Sequence, residues 1–558
     1  MNGLLLLLIG MAVFAAAYAI YARLIARWLG LDDSKPTPAH TMADGVDYVP
    51  ARKPVLLGHH FASIAGAAPI IGPVLAARYG WLPVFAWIVI GGVFLGAVHD
   101  FTALVASVRH RGRSIGIIIE QYLGSTGKLL FLLFAWATLI LVIAVFTLVV
   151  ARTFVSTPAV ATASILFIIL AIGFGLSVYR FKANFMLASA IGVVLLGLCL
   201  WCGVLFPFPR IFAASPDGDP MQTFWQVVLL GYIFVASVAP VNILLQPRDY
   251  LNSFLLYGIL LLSVLAVIVS PPVIEAPAFV AFDVEGLGPL FPLLFVTVAC
   301  GAISGFHSMV ASGTTAKQLD KETDAKAVGY GSMVIESLLA VLALLTAVVL
   351  TKDQYSALLA GGSAVTVFAT GVAGFLQALS IPVAVGVGFA GLAVSAFALT
   401  SLDTATRLAR FSLQELVMKS GLADERQSVL YRNRFIATGV TVAVAAVLLF
   451  SGKTMSIWQI FGSANQLLAA MALMAIATWL ASTGRKTFYV VIPMIFMFLV
   501  TTAALAMQIY KFFFTQPSPV LGVIAALLFV LSLLLAYNYA RRIVRGPAHE
   551  DSAHPEPR

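Results

Sequence analysis

Charged residues are scarce in this sequence, and that scarcity excludes most classes of soluble protein. Only 10% of the 558 residues are Asp, Glu, Lys or Arg, whereas 61% are hydrophobic and the mean hydropathy is +1.00. Apolar runs long enough to span a bilayer, roughly 18 residues or more, recur from end to end. Because these runs are continuous rather than alternating, they predict a polytopic helical membrane protein and not a transmembrane barrel.

Cysteines are few, and familiar catalytic motifs are missing. Three cysteines do not make a disulfide framework, and we interpret the C-x-x-C of Cys199 and Cys202, inside an apolar run, as packing rather than as a redox or metal site. The sequence has no nucleotide-binding loop, no zinc motif and no nucleophile elbow. We therefore expect neither an enzyme nor a protein that holds a metal or an organic cofactor.

The net charge of +9 lies mainly in short loops between apolar runs, which is the positive-inside pattern and not a nucleic-acid surface. It predicts about fifteen passes, with the N-terminus outside and the C-terminus cytoplasmic. The first apolar run is followed by Arg23 and Arg27 and preceded by no positive side chain, the reverse of a cleavable signal peptide. The segment Ser363–Thr400 allows one bent pass or three; we prefer one pass preceded by an external helix.

The stretch Val55–Ala77, VLLGHHFASIAGAAPIIGPVLAA, is apolar but poorly suited to a continuous helix. Gly66 and Gly72 loosen the backbone, and Pro69 and Pro73 each leave a carbonyl group without its helical partner. Such groups are tolerated inside a membrane where they face protein, water or a ligand, so an interrupted helix indicates a transporter site. The alternative is a kinked helix packed closely on a neighbour through its small residues.

A second interruption is predicted in Gln222–Leu245, where Pro240 frees the carbonyl group of Ala236. This pass runs opposite to the first interrupted helix, and Asn242 follows directly. Two broken helices in antiparallel orientation frame the site of an inverted-repeat transporter. The alternative is a kinked helix that ends in an amide-capped cytoplasmic loop.

Two further segments carry more polar side chains than packing requires. In CGAISGFHSMVASGTT, a stripe of Ser304, Ser308 and Ser312 runs beside His307. Hydroxyl groups can coordinate a cation or bind a ligand, although such stripes also join helices. The segment WQIFGSANQLLAA contains three amides, namely Gln459, Asn465 and Gln466. Amides inside a membrane helix need partners, so we expect cross-helix hydrogen bonds or substrate contacts.

Carboxyl groups inside a membrane are costly and are functional candidates for that reason. Glu336 lies about 13 Å into its pass at 1.5 Å per residue, and burial favours the protonated form of a carboxyl group, as proton coupling requires. A structural ion pair is the alternative. Asp100 is nearer the cytoplasmic end, where we expect it to pair with the Arg109–Arg113 cluster. Asp403 and Arg407, at i and i+4, predict a local pair.

Four blocks of the sequence form a recognisable series. They are DGVDYVPARKPVLLGHHFASIAGAAPIIGPVLA at Asp44–Ala76, SGFHSMVASGTTAKQL at Ser304–Leu319, LDTATRLAR at Leu402–Arg410 and FGSANQLLAA at Phe461–Ala470. In this order they resemble the carbon-starvation protein A (CstA) family of bacterial inner-membrane transporters. The resemblance implies uptake of peptides, or in some members pyruvate, coupled to protons when carbon is scarce. It also implies a five-helix inverted repeat with broken first and sixth helices.

On this resemblance, Val55–Ala77 and Gln222–Leu245 take the places of the two broken helices, and the substrate carboxylate would face half-helix N-termini where they meet. The candidate substrate-binding residues are His59, His60, Ser63, Gly66, Ala68, Pro69, Gly72, Asn242, Ser304, Ser308 and Asn465. The candidates for carrying the coupling ion, a proton or sodium, are Glu336, His307, Ser312 and Asp100.

We therefore predict an all-α secondary active transporter of the bacterial inner membrane that takes up peptides. Pyruvate symport with protons is the alternative substrate assignment, and a membrane nutrient sensor is the alternative from another class. The expected partners are a small-molecule substrate and the lipid bilayer. We divide the chain into a first helix and loop (1–54), a transporter core (55–480), accessory helices (481–542) and a disordered tail (543–558).

Overall fold

The computed structural model describes residues 2–45, 48–213, 219–240, 244–361, 363–418, 428–451 and 454–545. These residues are mostly helical, which confirms the all-α class. Two short strands, β1 (Asp283–Val284) and β2 (Gly288–Pro289), form an antiparallel pair in one connection. Single helical turns occur at Pro38–Thr41 and Val429–Arg432.

The longer helices follow one another along the chain in two halves. The first half contains α1 (Gly3–Leu29), α2 (Lys53–Ile64), α3 (Ala68–Tyr79), α4 (Trp81–Arg109), α5 (Ile115–Ser156), α6 (Pro158–Val178), α7 (Phe185–Leu205), α8 (Pro220–Val238) and α9 (Leu245–Val269). The second half contains α10 (Leu290–Thr297), α11 (Gly305–Gly313), α12 (Glu322–Val348), α13 (Lys352–Gly361), α14 (Ala364–Leu379), α15 (Val383–Val417), α16 (Arg434–Leu449), α17 (Thr454–Ser482), α18 (Phe488–Thr515) and α19 (Pro519–Arg545).

The described residues contain twelve helices that are long and apolar enough to cross a membrane, and the bent pair α2–α3 brings the number to thirteen. The chain is therefore a multi-pass membrane protein. The number of about fifteen passes, which rests on the positive-inside pattern, stays a prediction. The apolar segment of α17 is wholly enclosed by protein, whereas only 17% of the α7 segment is buried, so α7 lies at the lipid-facing periphery. Cys199 and Cys202 are free thiols on α7.

The first predicted helix break is confirmed. Helix α2 ends at Ile64, α3 begins at Ala68, and the two halves meet at a bend of 49°. Ala65 has non-helical backbone angles, and Pro69 lies in the first turn of α3. Proline is well tolerated there because the first N–H groups of a helix have no intrahelical partner. The chain therefore breaks just before Pro69, which begins the second half, whereas Pro73 lies inside α3.

The second predicted break, in Gln222–Leu245, is wrong. Helix α8 is continuous from Pro220 to Val238, and Pro240 lies in the connection to α9. The helix ends before the proline, so Pro240 interrupts no pass. The guanidinium group of Arg407 donates to the carbonyl oxygens of Ala236 and Ala239, at 3.1 and 2.7 Å. Asn242, the substrate candidate in this connection, lies outside the described residues.

The actual second break lies in the segment Phe291–Ser312, for which the sequence predicted one uninterrupted pass. Helix α10 ends at Thr297 and α11 begins at Gly305, with non-helical backbone between them. Helix α10 packs against α3, and α11 packs against α2. The two broken helices are therefore antiparallel neighbours, and their breaks face each other.

The segment around residues 363–400 contains one short and one long helix, in agreement with the preferred single pass, and the external position of the short helix stays a prediction. The short helix α14 is followed by Ser380, with a left-handed φ of 62°, and then by the single long helix α15. Helix α14 packs against α3, α12 and α15, and the long helices α5 and α15 pack against each other at the centre of the bundle. Helix α5 is kinked at Gly124, where φ is 81°, which separates Ile115–Leu123 from the longer part.

Candidate functional site

Four titratable side chains meet in the protein interior beside the second helix break. His99 and Asp100 come from α4, His307 from α11 and Glu336 from α12, and none of the four is exposed to solvent. One Asp100 carboxylate oxygen is 2.7 Å from His99 Nδ1 and the other is 2.8 Å from His307 Nδ1. The His307 Nε2 atom is 3.5 Å from Glu336 Oε2. We call these four residues the acid–base cluster.

The expected pairing of Asp100 with the arginines at the end of α4 is wrong. Nine residues separate Asp100 from Arg109, about 13 Å along a helix, so the two side chains lie at different depths. Arg109 instead binds Glu322, with its Nε 2.6 Å from Oε1. Asp100 therefore lies with His307 and Glu336, and all three were coupling candidates from the sequence. Sequence analysis missed His99 as a member of this cluster.

Among the described residues, no hydrogen-bond donor reaches the Glu336 carboxyl group. Neither of its carboxylate oxygens, nor His307 Nε2, has a hydrogen-bond partner within the described part of the chain. A buried carboxylate without donors is costly, and holding a proton removes that cost. His307 lies between Glu336 and Asp100, so a small movement of this imidazole is enough to bring it into hydrogen-bonding distance of Glu336. The acid–base cluster can thus take up, share and release a proton.

Glycines allow α4 to approach the second break closely enough to form this cluster. A Cβ atom at Gly96 would lie 2.3 Å from the carbonyl oxygen of Ala302, and one at Gly91 would lie 2.8 Å from the Ala302 side chain. The residues Gly92–Gly96 form a π-helical turn just before His99. Such turns occur often at functional sites.

The two adjacent histidines of α2 have different partners. The Nδ1 atom of His60, which is fully buried, lies 2.8 Å from Thr315 Oγ1. The side chain of His59 is 18% exposed, and its Nδ1 is 3.9 Å from Asp249 Oδ2. The Ser63 hydroxyl donates to the backbone carbonyl of His59 at 2.8 Å, so it bonds within its own helix.

The remaining candidates on the first broken helix lie at its break or just beyond, and all are buried; they are Gly66, Ala68, Pro69 and Gly72. A Cβ atom at Gly66 would lie 2.3 Å from the Ser401 hydroxyl, and one at Gly72 would lie 2.6 Å from the carbonyl oxygen of Thr297. The first break is therefore packed tightly against α15 and against the second broken helix. Substrate contacts by these residues stay a prediction.

Ser304 and Asn465 are brought together across the second break. The Asn465 amide donates to the Ser304 hydroxyl at 3.0 Å, and its oxygen accepts from the backbone N–H of Phe306 at 2.9 Å. Asn465 therefore supports the start of α11 from a neighbouring helix. Ser308 and Ser312 donate to carbonyl groups of their own helix, each at 2.7 Å. Their hydroxyl hydrogens are thus used within α11.

Sequence analysis missed a second buried cluster, formed by Tyr232, Arg248, Asp249 and Asp403. Arg248, which is not exposed, donates to the Asp403 carboxylate and to the Tyr232 hydroxyl, and Tyr232 donates to Asp403 at 2.8 Å. The Asp249 carboxylate is 3.6 Å from Arg248. We call these residues the arginine cluster. The predicted local pair of Asp403 with Arg407 is wrong, because Asp403 faces α8 and α9.

One sequence signal for the arginine cluster was present. Arg248 and Asn252 are four residues apart, which places both on one face if the segment is helical. Asn252 does lie on that face, with its amide 3.1 Å from the Thr400 hydroxyl. The signal is hidden because a proline directly before Arg248 is typical of a loop, whereas α9 begins at Leu245 and places Pro247 in its first turn. Proline is compatible with that position.

Comparison with known proteins identifies the family. The sequence profile described as carbon starvation protein CstA matches residues 2–367 and 356–504. The chain belongs to the CstA family. Peptide transporter CstA of Campylobacter jejuni is 34% identical over 90% of this chain and 79% of its own length, and the Bacillus subtilis protein of the same name is 31% identical over 96% of each. Pyruvate/proton symporter BtsT of Escherichia coli is 32% identical over 91% of this chain and 82% of its own length.

Two solved structures with a similar chain path are distant in sequence. MhsT in complex with L-phenylalanine is 14% identical, covers 88% of this chain and 99% of its own, and has a TM-score of 0.48. A mutant of the Eremococcus coleocola manganese transporter is also 14% identical, covers 90% of this chain and 99% of its own, and has a TM-score of 0.42.

The sequence comparisons confirm that the four sequence blocks resemble the CstA family. This CstA-family chain is a transporter rather than an enzyme.

The other two amides of the segment WQIFGSANQLLAA join helices. Gln466 donates to the carbonyl oxygen of Phe295 at 2.9 Å. The Gln459 side chain accepts from Lys511 at 3.2 Å, and its backbone carbonyl accepts from Gln508 at 3.0 Å. The sequence allowed either cross-helix hydrogen bonds or substrate contacts for these amides, and the structure shows cross-helix hydrogen bonds. Helix α17 is thereby tied to α10 on one side and to α18 on the other.

Replacing Gly462 by Ala is expected to lower the free energy of unfolding by about 1–3 kcal/mol, as overpacking does in a dense core. A Cβ atom at Gly462 would lie 2.1 Å from the carbonyl oxygen of Val296, on α10. Because this atom is backbone, relief requires movement of the second broken helix. Thermal unfolding in detergent measures the effect. The control is Gly197→Ala, on α7, where an added Cβ meets nothing within 4 Å. Equal melting temperatures for both variants would contradict the prediction.

Proposed function

We propose that this protein imports carboxylate-bearing substrates, peptides first and pyruvate as the alternative, by symport with protons across the bacterial inner membrane. The observation that carries the proposal is the acid–base cluster of His99, Asp100, His307 and Glu336 beside the second helix break. Intramembrane acids and histidines in contact with one another are the usual parts of a proton relay.

The position of the acid–base cluster supports coupling between protonation and conformation. Its members come from three different helices, and His307 belongs to α11, one half of a broken helix. Movement of a half-helix changes the distance between His307 and Glu336, whereas α4 and α12 are continuous passes. Since protonation then has a different free energy in each conformation, a proton gradient can drive the conformational cycle.

The name of one relative favours protons over sodium as the coupling ion. The relative BtsT is named a pyruvate/proton symporter, while the other relatives described above are named peptide transporters. Peptides and pyruvate share a carboxylate group, which is the feature that a common site would recognise.

We also propose that residues 55–480 form the transport core, preceded by residues 1–54 and followed by accessory helices at 481–542. The N-terminus would lie outside and the C-terminus in the cytoplasm, as the distribution of Lys and Arg favours. The tail that the sequence predicts to be disordered, 543–558, lies outside the described residues beyond residue 545.

Purified protein in sodium-free liposomes tests the proposal. An inward proton gradient is expected to drive accumulation of labelled dialanine or pyruvate, and a proton carrier should abolish it. Without an imposed gradient, added substrate should acidify the lumen, which a trapped pH-sensitive dye reports. Accumulation that requires a sodium gradient would overturn proton coupling. Accumulation of neither substrate under any gradient would overturn the transport assignment and favour the nutrient sensor.

A further inference from the structure

A cavity of about 440 Å³ lies beyond the first helix break, between α3, α5, α14 and the start of α17. Its walls are largely apolar and include Ile71, Leu75 and Trp458. Arg78, at the end of α3, and Arg152, near the end of α5, also line it, and no acidic residue does so among the described residues. The positive-inside distribution places these helix ends on the outer side. We call this space the outer cavity.

The outer cavity combines several features that attract an anion. Both arginine residues are only partly exposed, and partial burial strengthens the interaction of a side chain with a bound charge. Arg78 is held in place by donating to the backbone carbonyl of Glu285. Residues Ser363–Val365, at the N-terminus of α14, form another part of the wall. The N–H groups of Ser363 and Thr366 are used within a capping box, so this helix N-terminus contributes chiefly its partial positive charge.

Three aromatic rings separate the outer cavity from the first helix break. The Trp458 ring lines the cavity and has its centroid 5.6 Å from that of Phe461, which in turn lies 5.9 Å from that of Phe146. The Phe146 ring reaches Gly66, where an added Cβ atom would lie 3.5 Å from it. We call these rings the aromatic layer. A ligand in the outer cavity would therefore be separate from one at the break.

We propose that the outer cavity is a carboxylate-binding site that holds the substrate before the aromatic layer opens. A guanidinium group matches a planar carboxylate through two parallel hydrogen bonds, and the apolar walls suit a small organic remainder. The volume lies in the range of small-molecule sites. The carboxylate could belong to pyruvate or to the C-terminus of a short peptide. The role in transport rests on the proposed function, whereas anion binding by the two arginines does not.

Binding and uptake assays with matched ligands test the outer cavity. The ligands are labelled pyruvate, dialanine and dialanine amide, which lacks the carboxylate. For Arg152→Gln we expect the affinity for both carboxylates to fall about tenfold, the loss of one charge-assisted interaction, and the KM for uptake to rise by a similar factor with little change in maximal rate. Arg152→Lys, which retains the charge, should lose less. Affinity for the amide should be the same in wild type and Arg152→Gln.

The control is Arg210→Gln, which removes an exposed arginine that pairs with Asp219, 2.7 Å away. It should leave affinity and KM unchanged.

Arg78→Gln combined with Arg152→Gln should weaken carboxylate binding about a hundredfold if the two contributions add. A folded Arg152→Gln protein with wild-type affinity and KM would overturn the proposal. Arginine-dependent carboxylate binding without accumulation would support the site while overturning transport, so the two failures are distinguishable. Loss of affinity for one carboxylate alone would identify the ligand as pyruvate or peptide.

Discussion

Replacing Glu336 by Gln is expected to abolish proton-driven accumulation of substrate while exchange of internal for external substrate continues. Gln has nearly the shape of Glu but cannot gain or lose the coupling proton. An inward gradient of about one pH unit contributes about 1.4 kcal/mol per proton, enough for about tenfold accumulation. The variant should therefore reach an internal-to-external ratio near one, with no lumenal acidification on addition of substrate.

The matched control for this prediction is Glu275→Gln, the same chemical change at an exposed position in the connection between α9 and α10. It should accumulate substrate as the wild type does. Exchange activity shows that the Glu336→Gln protein is folded and binds substrate. Normal accumulation by a folded Glu336→Gln protein would place the coupling proton elsewhere and leave Glu336 with a structural role.

Removing one partner of the Arg248–Asp403 pair is expected to destabilise the protein by about 3–5 kcal/mol, because a buried charge then loses its counter-charge. In Arg248→Met two carboxylates, those of Asp249 and Asp403, lose the guanidinium group that lies between them. Replacing both partners, as Met and Leu, should recover part of the loss, since removing both charges also removes the cost of burying them. The measurement is the free energy of unfolding in mixed detergent micelles.

An exposed ion pair provides the control for the arginine cluster. Arg210→Met removes a cation that is 47% exposed, and surface pairs contribute at most about 1 kcal/mol. Its effect should therefore be several times smaller than that of Arg248→Met. If the two variants unfold at similar free energies, Arg248 does not stabilise the interface of α9 with α15 through its charge.

Local chemistry was enough to predict the membrane class and the first helix break. Hydropathy acts residue by residue, and the small and proline residues between Gly66 and Pro73 act on their own backbone, so both signals can be read from short windows. The four blocks that resemble the CstA family are likewise contiguous. These predictions needed no knowledge of which segments become neighbours.

The second break shows where local chemistry misleads. Pro240 suggested an interruption but stands after the end of α8, because proline follows helices as readily as it breaks them. The interruption at residues 298–304 contains no proline. It is supported from outside, by Asn465 on α17 and by the close approach of Gly96 on α4. Contacts of that kind leave no trace within the segment they support.

The choice of partner for each buried charged side chain depends on the packing of the helices even more than the second break does. Asp100 and His307 are 207 positions apart, and Arg248 and Asp403 are 155 apart, so no local pattern joins them. The sequence identified Glu336, His307 and Asp100 as costly groups in apolar surroundings, because the cost of burial depends on each residue and its neighbours alone. Their partners depend on which helix faces meet across the bundle. The free energy of the whole packed structure determines which faces meet, and the glycines of α4 allow Asp100 of that helix to approach His307 on α11.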